Sequence, residues 1–252
     1  MDHDFTREEL DVIRPCNTPR KIQDFLGTIP HNYELGKSTC FSPRQVLRKH
    51  RAHCVEGAML GAAMLRVAGW RPRVLDLRAA GHDFDHVVAV YQIDGCWGAI
   101  SKTNHGVLRY REAVYRSIRE LALSFFHEYF LDDGEKTLRA YSGAIDLSRF
   151  DRRHWMTSEE DLWDIYSHLD RVRHHPILTR AQIARLRPAD PIERRMGKLM
   201  EWPHPRRARH DHRAGDCTSA GRVDDHGLRA LYGNAHLRSS GDADGDARPG
   251  AG

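Results

Sequence analysis

An α+β fold built around one small antiparallel sheet is predicted by three features of the sequence. An apolar segment, CVEGAMLGAAMLRVA, begins at Cys54 and is followed by Gly69, where a glycine can take the left-handed conformation that closes a helix. RVLDLRA then alternates like a strand, and HVVAVYQI and CWGAIS flank Asp94-Gly95, the dipeptide favoured in two-residue type I′ hairpins. Elsewhere, Ser, Thr or Asp recurs with an acid or amide three residues on, the spacing at which two orphan donors of a helix start are satisfied reciprocally. The predicted order is short helices, a central helix, three strands, and helices again.

Taken along the chain, Thr6 with Glu9, Ser42 with Gln45, Ser117 with Glu120, Thr157 with Glu160, Thr179 with Gln182 and Asp190 with Glu193 each predict a helix start. Pro43 and Pro191 stand at the first helical position, where the missing donor costs nothing. Thr18-Pro19 predicts a further helix, closed at Gly27. Behind the Ser117 cap, Ile118, Leu121, Ala122, Phe125 and Tyr129 follow helical spacing and are expected in the core, with Arg109, Arg111 and Arg116 solvated or paired. Residues 1–202 are thus read as one domain with a helical C-terminal extension. From Pro203 onward Arg, His, Asp, Gly and Ser dominate, and 203–252 is expected to be a disordered tail.

Composition excludes several function classes. Thirty-nine Lys and Arg against 35 Asp and Glu in 252 residues give a net charge of +4, spread along the chain rather than gathered in the basic stripe of a nucleic-acid binder. No run approaches the roughly 18 apolar residues of a membrane span. The opening MDHDFTREEL has no apolar secretory core, so a cytoplasmic location is expected. Five cysteines, odd in number and without a CxxC pair, speak against a disulfide framework. His50, His53, Cys54, His82, Asp83, Asp85, His86 and Cys96 are rich in metal-capable atoms but lack ligand spacing. Phe126-His127-Glu128 resembles the start of a zincin helix, but Leu131 stands where its second histidine belongs. Neither metal nor cofactor is expected, and nothing in the sequence fixes an oligomeric state.

The residues that carry chemistry gather around Cys54. At the start of a helix, unpaired N–H groups and the positive end of the dipole stabilise a thiolate; the plainer reading is a small buried core residue. The hairpin adds a histidine. With Asp94 and Gly95 as the turn, Ile93 faces Cys96, so that His86 falls opposite Thr103 and Val88 opposite Ser101. Ser101 is then diagonal to His86 and shares its face, giving a base and a group to orient it.

SPRQVLRKHRAHCVEGAMLGAAMLRVAGWRPRVLDL followed by DHVVAVYQIDGCWGAISKTN resembles the core of bacterial transglutaminase-like proteins, within the papain-like cysteine-enzyme superfamily. The resemblance covers residues 20–105. It implies a Cys opening the central helix, a His beginning a following strand and an acid on the next strand, the first two matched by Cys54 and His86. Two positions depart from it. Ala52 stands where the family usually has glycine, and Ser101 where its acid is expected, leaving either Ser101 or Asn104 as the third member, or none. The implied activity is a thiol-dependent amide hydrolase or acyltransferase acting on a peptide, protein or small amide. The alternative is a catalytically silent binding module that uses the same cleft.

Overall fold

The helix caps read from the sequence form as expected, with one exception, in the computed structural model, which describes residues 4–200. Capping boxes at Thr6 and Ser42 open α1 (Arg7–Ile13) and α3 (Pro43–Lys49), and Thr18 caps α2 (Pro19–Thr28). α2 passes through Gly27 and ends one residue later. The central helix α4 (Cys54–Val67) buries every residue from Val55 to Leu65. It closes as expected: Gly69 at φ +90°, with Gly69 N–H donating to Arg66 and Trp70 N–H to Leu65.

Strands β1 (Arg73–Ala79), β2 (His86–Ile93) and β3 (Cys96–Ile100) follow, and the hairpin has the expected register, Ile93 facing Cys96 and Ala89 facing Ile100. Asp94 and Gly95 both have positive φ, the requirement of a type I′ turn. The sheet is larger than the sequence predicts. β4 (Arg111–Tyr115), β5 (Leu138–Ser142), β6 (Ile145–Asp146) and β7 (His174–Pro176) join it, giving seven antiparallel strands in the order β4-β3-β2-β1-β5-β7 with β6 also paired to β1.

Alternation along β2 and β3 divides the core in two. Val87, Ala89, Tyr91 and Ile100 pack with α2, α3 and α4, where Met59, Leu60, Met64 and Leu65 are fully buried. Each such side chain contributes roughly 1.5–3 kcal/mol by leaving water. Val88, Val90 and Ala99 pack on the other side with Leu121, Ala122, Phe125 and Tyr129. Those four residues come from α5 (Ile118–Ser124), capped by Ser117, and from the turn of 3-10 helix after it. Arg111 is paired, its guanidinium lying 4.2 Å from the Phe125 ring and 2.6 Å from Glu128.

The exception is Thr157, which starts no helix. Its carbonyl accepts from Arg44, that of Ser158 from Ser42, and that of Glu159 from Gln45, so the start of α3 consumes the backbone that a helix would need. α6 (Trp163–Arg171) begins six residues later, without a side-chain cap. Thr179 and Asp190 open α7 (Arg180–Ile183) and α8 (Pro191–Gly197) as expected. The described residues fall in one unit, Met1–Pro205. The tail expected from Pro203 lies outside the described residues. Among those described, no helix is long and apolar enough to cross a membrane.

Candidate active site

The approach to α4 is fixed before the helix starts. α3 ends on His50 in the left-handed region, at φ +50°. Ala52 is then clipped to the segment after α2, its N–H donating to Pro30 and its carbonyl accepting from Asn32. His53 occupies the N-cap and Cys54 the first helical position. The next turn supplies Glu56, which is fully buried and accepts from four residues: Asn32 Nδ2 at 3.0 Å, Thr39 Oγ1 at 2.7 Å, Phe41 N–H at 2.9 Å and His53 N–H at 2.9 Å. Both oxygens accept, so the group is a carboxylate, and the helix start is held by its own third residue.

His86 stands on the first residue of β2 and is 6% exposed. Its Nε2 lies 2.9 Å from Ser101 Oγ. The serine hydroxyl donates its proton to the carbonyl of Leu108 at 2.6 Å, so it accepts from His86 Nε2–H, and Nδ1 is the ring nitrogen that keeps a lone pair. Ser101 is itself fixed by Gln23 of α2, which donates to its carbonyl and accepts from its N–H. Lys102, also buried, lies against Gly57 so closely that a Cβ there would stand 2.3 Å from the lysine Cβ. The strand end bearing Ser101 is therefore seated on the first turns of α4.

These elements converge on the sulfur. Burial by itself would raise the Cys54 thiol, but hydrogen bonds and charge from His53 and His86 outweigh it and bring it down to about 5. Burial would likewise lower the His53 imidazole. Hydrogen bonding and charge from Cys54, the charge of Glu56 and the carbonyl of Thr39 push it up instead, to about 9. A thiolate beside an imidazolium is the neutral-pH state of such a pair. The wider surroundings are rich in bases. His31, its Nδ1 buried without a hydrogen-bond partner among the described residues, is held down at about 4 by burial and by the charges of Lys102, His53, His105 and His86.

Of the four residues that the sequence singles out, Cys54, His86 and Ser101 come together. Asn104 is buried, but its amide points to the sulfur of Met200 at 3.9 Å rather than to His86. Sequence reasoning missed His53 as a partner of Cys54, and missed Glu56 with Asn32 and Thr39 behind it. The spacing of His53 and Glu56 is that of a capping box, but histidine is not among the residues that usually open one, and the signal passed unread. Among the described residues no group of three or more His, Cys, Asp or Glu side chains is placed to hold a metal ion. No protein-family model matches the chain, and no curated protein matches it.

Proposed function

We propose that the protein is a thiol-dependent amide hydrolase or acyltransferase of transglutaminase-like type, with Cys54 as nucleophile, His86 as its acid–base partner and Ser101 as the group that orients His86. The observation that carries this reading is the Cys54 sulfur at the first position of α4, hydrogen-bonded by the rings of His53 and His86, with His86 Nε2 fixed 2.9 Å from Ser101 Oγ. The thiolate attacks an amide or ester carbonyl, and N–H groups at the helix start are available to the oxyanion. As the C–N or C–O bond breaks, an imidazolium gives its proton to the leaving group and an acyl-thioester remains. Water or an amine then attacks the thioester, an imidazole takes its proton, and the thiolate is expelled. Phe84, two residues before His86 and 70% exposed, offers apolar contact to a peptide or small amide at the rim.

Ser101 accepts the hydrogen bond that an acid would accept but brings no charge, and loss of the acid in a related triad costs roughly 10⁴ in turnover. Activated esters and peptide amides, assayed with and without added amine, test the reading. Cys54→Ala is expected to abolish turnover and Ser101→Asp to raise it. Thiolate reactivity at Cys54 without turnover of either substrate would favour the silent binding module instead. The reactivity is measured by alkylation at pH 6, where a free thiol is about 0.3% ionised and Cys54, with its thiol near 5, is mostly thiolate. Thiolates of low pKa are weaker nucleophiles, so a gain of roughly 300-fold in ionisation leaves about a tenfold advantage in rate.

A further inference from the structure

Building on this thiol chemistry, we propose that the proton of Cys54 rests on His53 rather than His86, and that Glu56, a positioning residue acting through His53, supplies the negative charge missing from position 101. The two imidazoles share a layout. His53 Nε2 is committed to the Thr39 carbonyl at 3.0 Å, as His86 Nε2 is to Ser101 Oγ, which leaves Nδ1 of each ring for the sulfur. They differ in what lies behind the ring. His53 Nε2 is 3.4 Å from Glu56 Oε1 and 3.8 Å from Glu34 Oε1, whereas His86 is backed by a neutral hydroxyl. An imidazolium is stabilised by a carboxylate in a weakly polar interior far more than by a hydroxyl.

Glu56 is the stronger of the two carboxylates because it cannot move. Its oxygens are locked by donors from three segments, Asn32 and Thr39 with Phe41 from the loop before α3, and His53 from the helix start itself. The other titratable groups that feel the charge of this pair include His86 from β2, His31 from the segment after α2, Tyr129 from the turn after α5 and Tyr166 from α6. The resting step is one proton transfer, Cys54 Sγ–H to His53 Nδ1, with no other bond changed. His53 gives this proton to the leaving amine or alcohol as the thioester forms, His86 Nδ1 takes the proton of the attacking water or amine, and passage of that proton to His53 by way of the expelled sulfur restores the resting pair. Labour is thereby divided: one histidine forms the thiolate, the other handles the acceptor.

The test is the pH dependence of Cys54 alkylation by iodoacetamide, mapped by mass spectrometry on the full chain. His53→Gln keeps a donor for the Thr39 carbonyl and is expected to move the midpoint from about 5 toward the ordinary value near 8.5, with about a tenfold slower rate at pH 6. His86→Gln is expected to leave a low midpoint while abolishing turnover. Glu34→Gln, at a side chain 35% exposed, is expected to raise the midpoint by a smaller step without threatening the fold. A midpoint that follows His86, or both histidines equally, overturns the assignment while leaving the proposed activity standing. A midpoint that follows His53 in a protein with no turnover supports the assignment and sinks the activity. Nitrogen NMR of the wild-type rings gives a readout independent of any variant: the cationic pattern at neutral pH should belong to His53, and its appearance on His86 alone would overturn the proposal.

Discussion

Two buried histidine–carboxylate pairs, one at the start of α4 and one tying the edge strand β7 to β1, use the same chemistry to different ends. His174 on β7 directs Nε2 to Asp76 Oδ2 at 2.9 Å and Nδ1 to the Val172 carbonyl at 2.8 Å, with both side chains about 5% exposed or less. Each ring nitrogen meets a protein oxygen, so the ring's hydrogen bonding is spent on the edge strand, which it ties across β5 to β1 in the middle of the sheet. His53 also faces a buried carboxylate, but its Nε2 is committed to the Thr39 carbonyl and the ring also hydrogen-bonds the Cys54 thiol. A buried pair with both nitrogens filled is a fastening; one left open toward a sulfur is a source of reactivity.

The largest test of this contrast is Glu56→Ala. Removing a buried carboxylate leaves four donors without their acceptor and is expected to cost about 3–5 kcal/mol, lowering Tm by roughly 10 °C or more in thermal denaturation. In whatever folded fraction remains, Cys54 alkylation at pH 6 should slow as well. Asp76→Asn should cost less, about 2 kcal/mol, because the buried carboxylate that accepts from His174 Nε2 is replaced by a neutral amide. Here the alkylation midpoint of Cys54 should not move, and a shift would show that the two pairs are one coupled system.

The smallest effect concerns Asp85, next to His86. Burial, despite the N–H of Ala79 and with the nearby charge of Asp76, holds its carboxyl up at about 6. The folded state therefore prefers the protonated form. This contribution to stability is complete below the unfolded value near 3.9 and is lost as the pH rises through 6. Asp85→Asn keeps an acceptor for Ala79, so it should flatten the stability profile between pH 4 and 6 and stabilise slightly at pH 8, as read from urea midpoints.

How much of this was legible depends on how local the signal is. Asp94-Gly95 sets its own φ angles, and with them the whole register of β2 and β3, which is why His86 and Ser101 could be placed on one face from sequence. Thr6, Ser42, Thr179 and Asp190 bond within their own first turn, and their helices formed. Thr157 has the same pattern but lies beneath α3, whose Ser42, Arg44 and Gln45 take its segment's carbonyls, information held some 115 residues away in the chain. Strands β5, β6 and β7 are two to five residues long, too short for alternation to show. Cys54 and His86 were visible because the chemistry names them. His53 and Glu56 were not, since their meaning depends on Asn32 and Thr39 folding over them.

The contact between Gly57 and Lys102 has a consequence for how this sequence can drift. A Cβ at position 57 would meet the lysine Cβ at 2.3 Å and its Cγ at 2.7 Å, but the lysine Cα only at 3.7 Å, an ordinary contact. The obstruction is thus the side chain at 102 and not its backbone, so alanine at 57 becomes admissible when 102 carries no Cβ. The two positions form an epistatic unit: the order in which substitutions are accepted matters, glycine at 102 having to come before any side chain at 57. Because one member lies on the nucleophile's helix and the other beside the serine that orients His86, lineages crossing that step would inherit a rearranged joint between nucleophile and base.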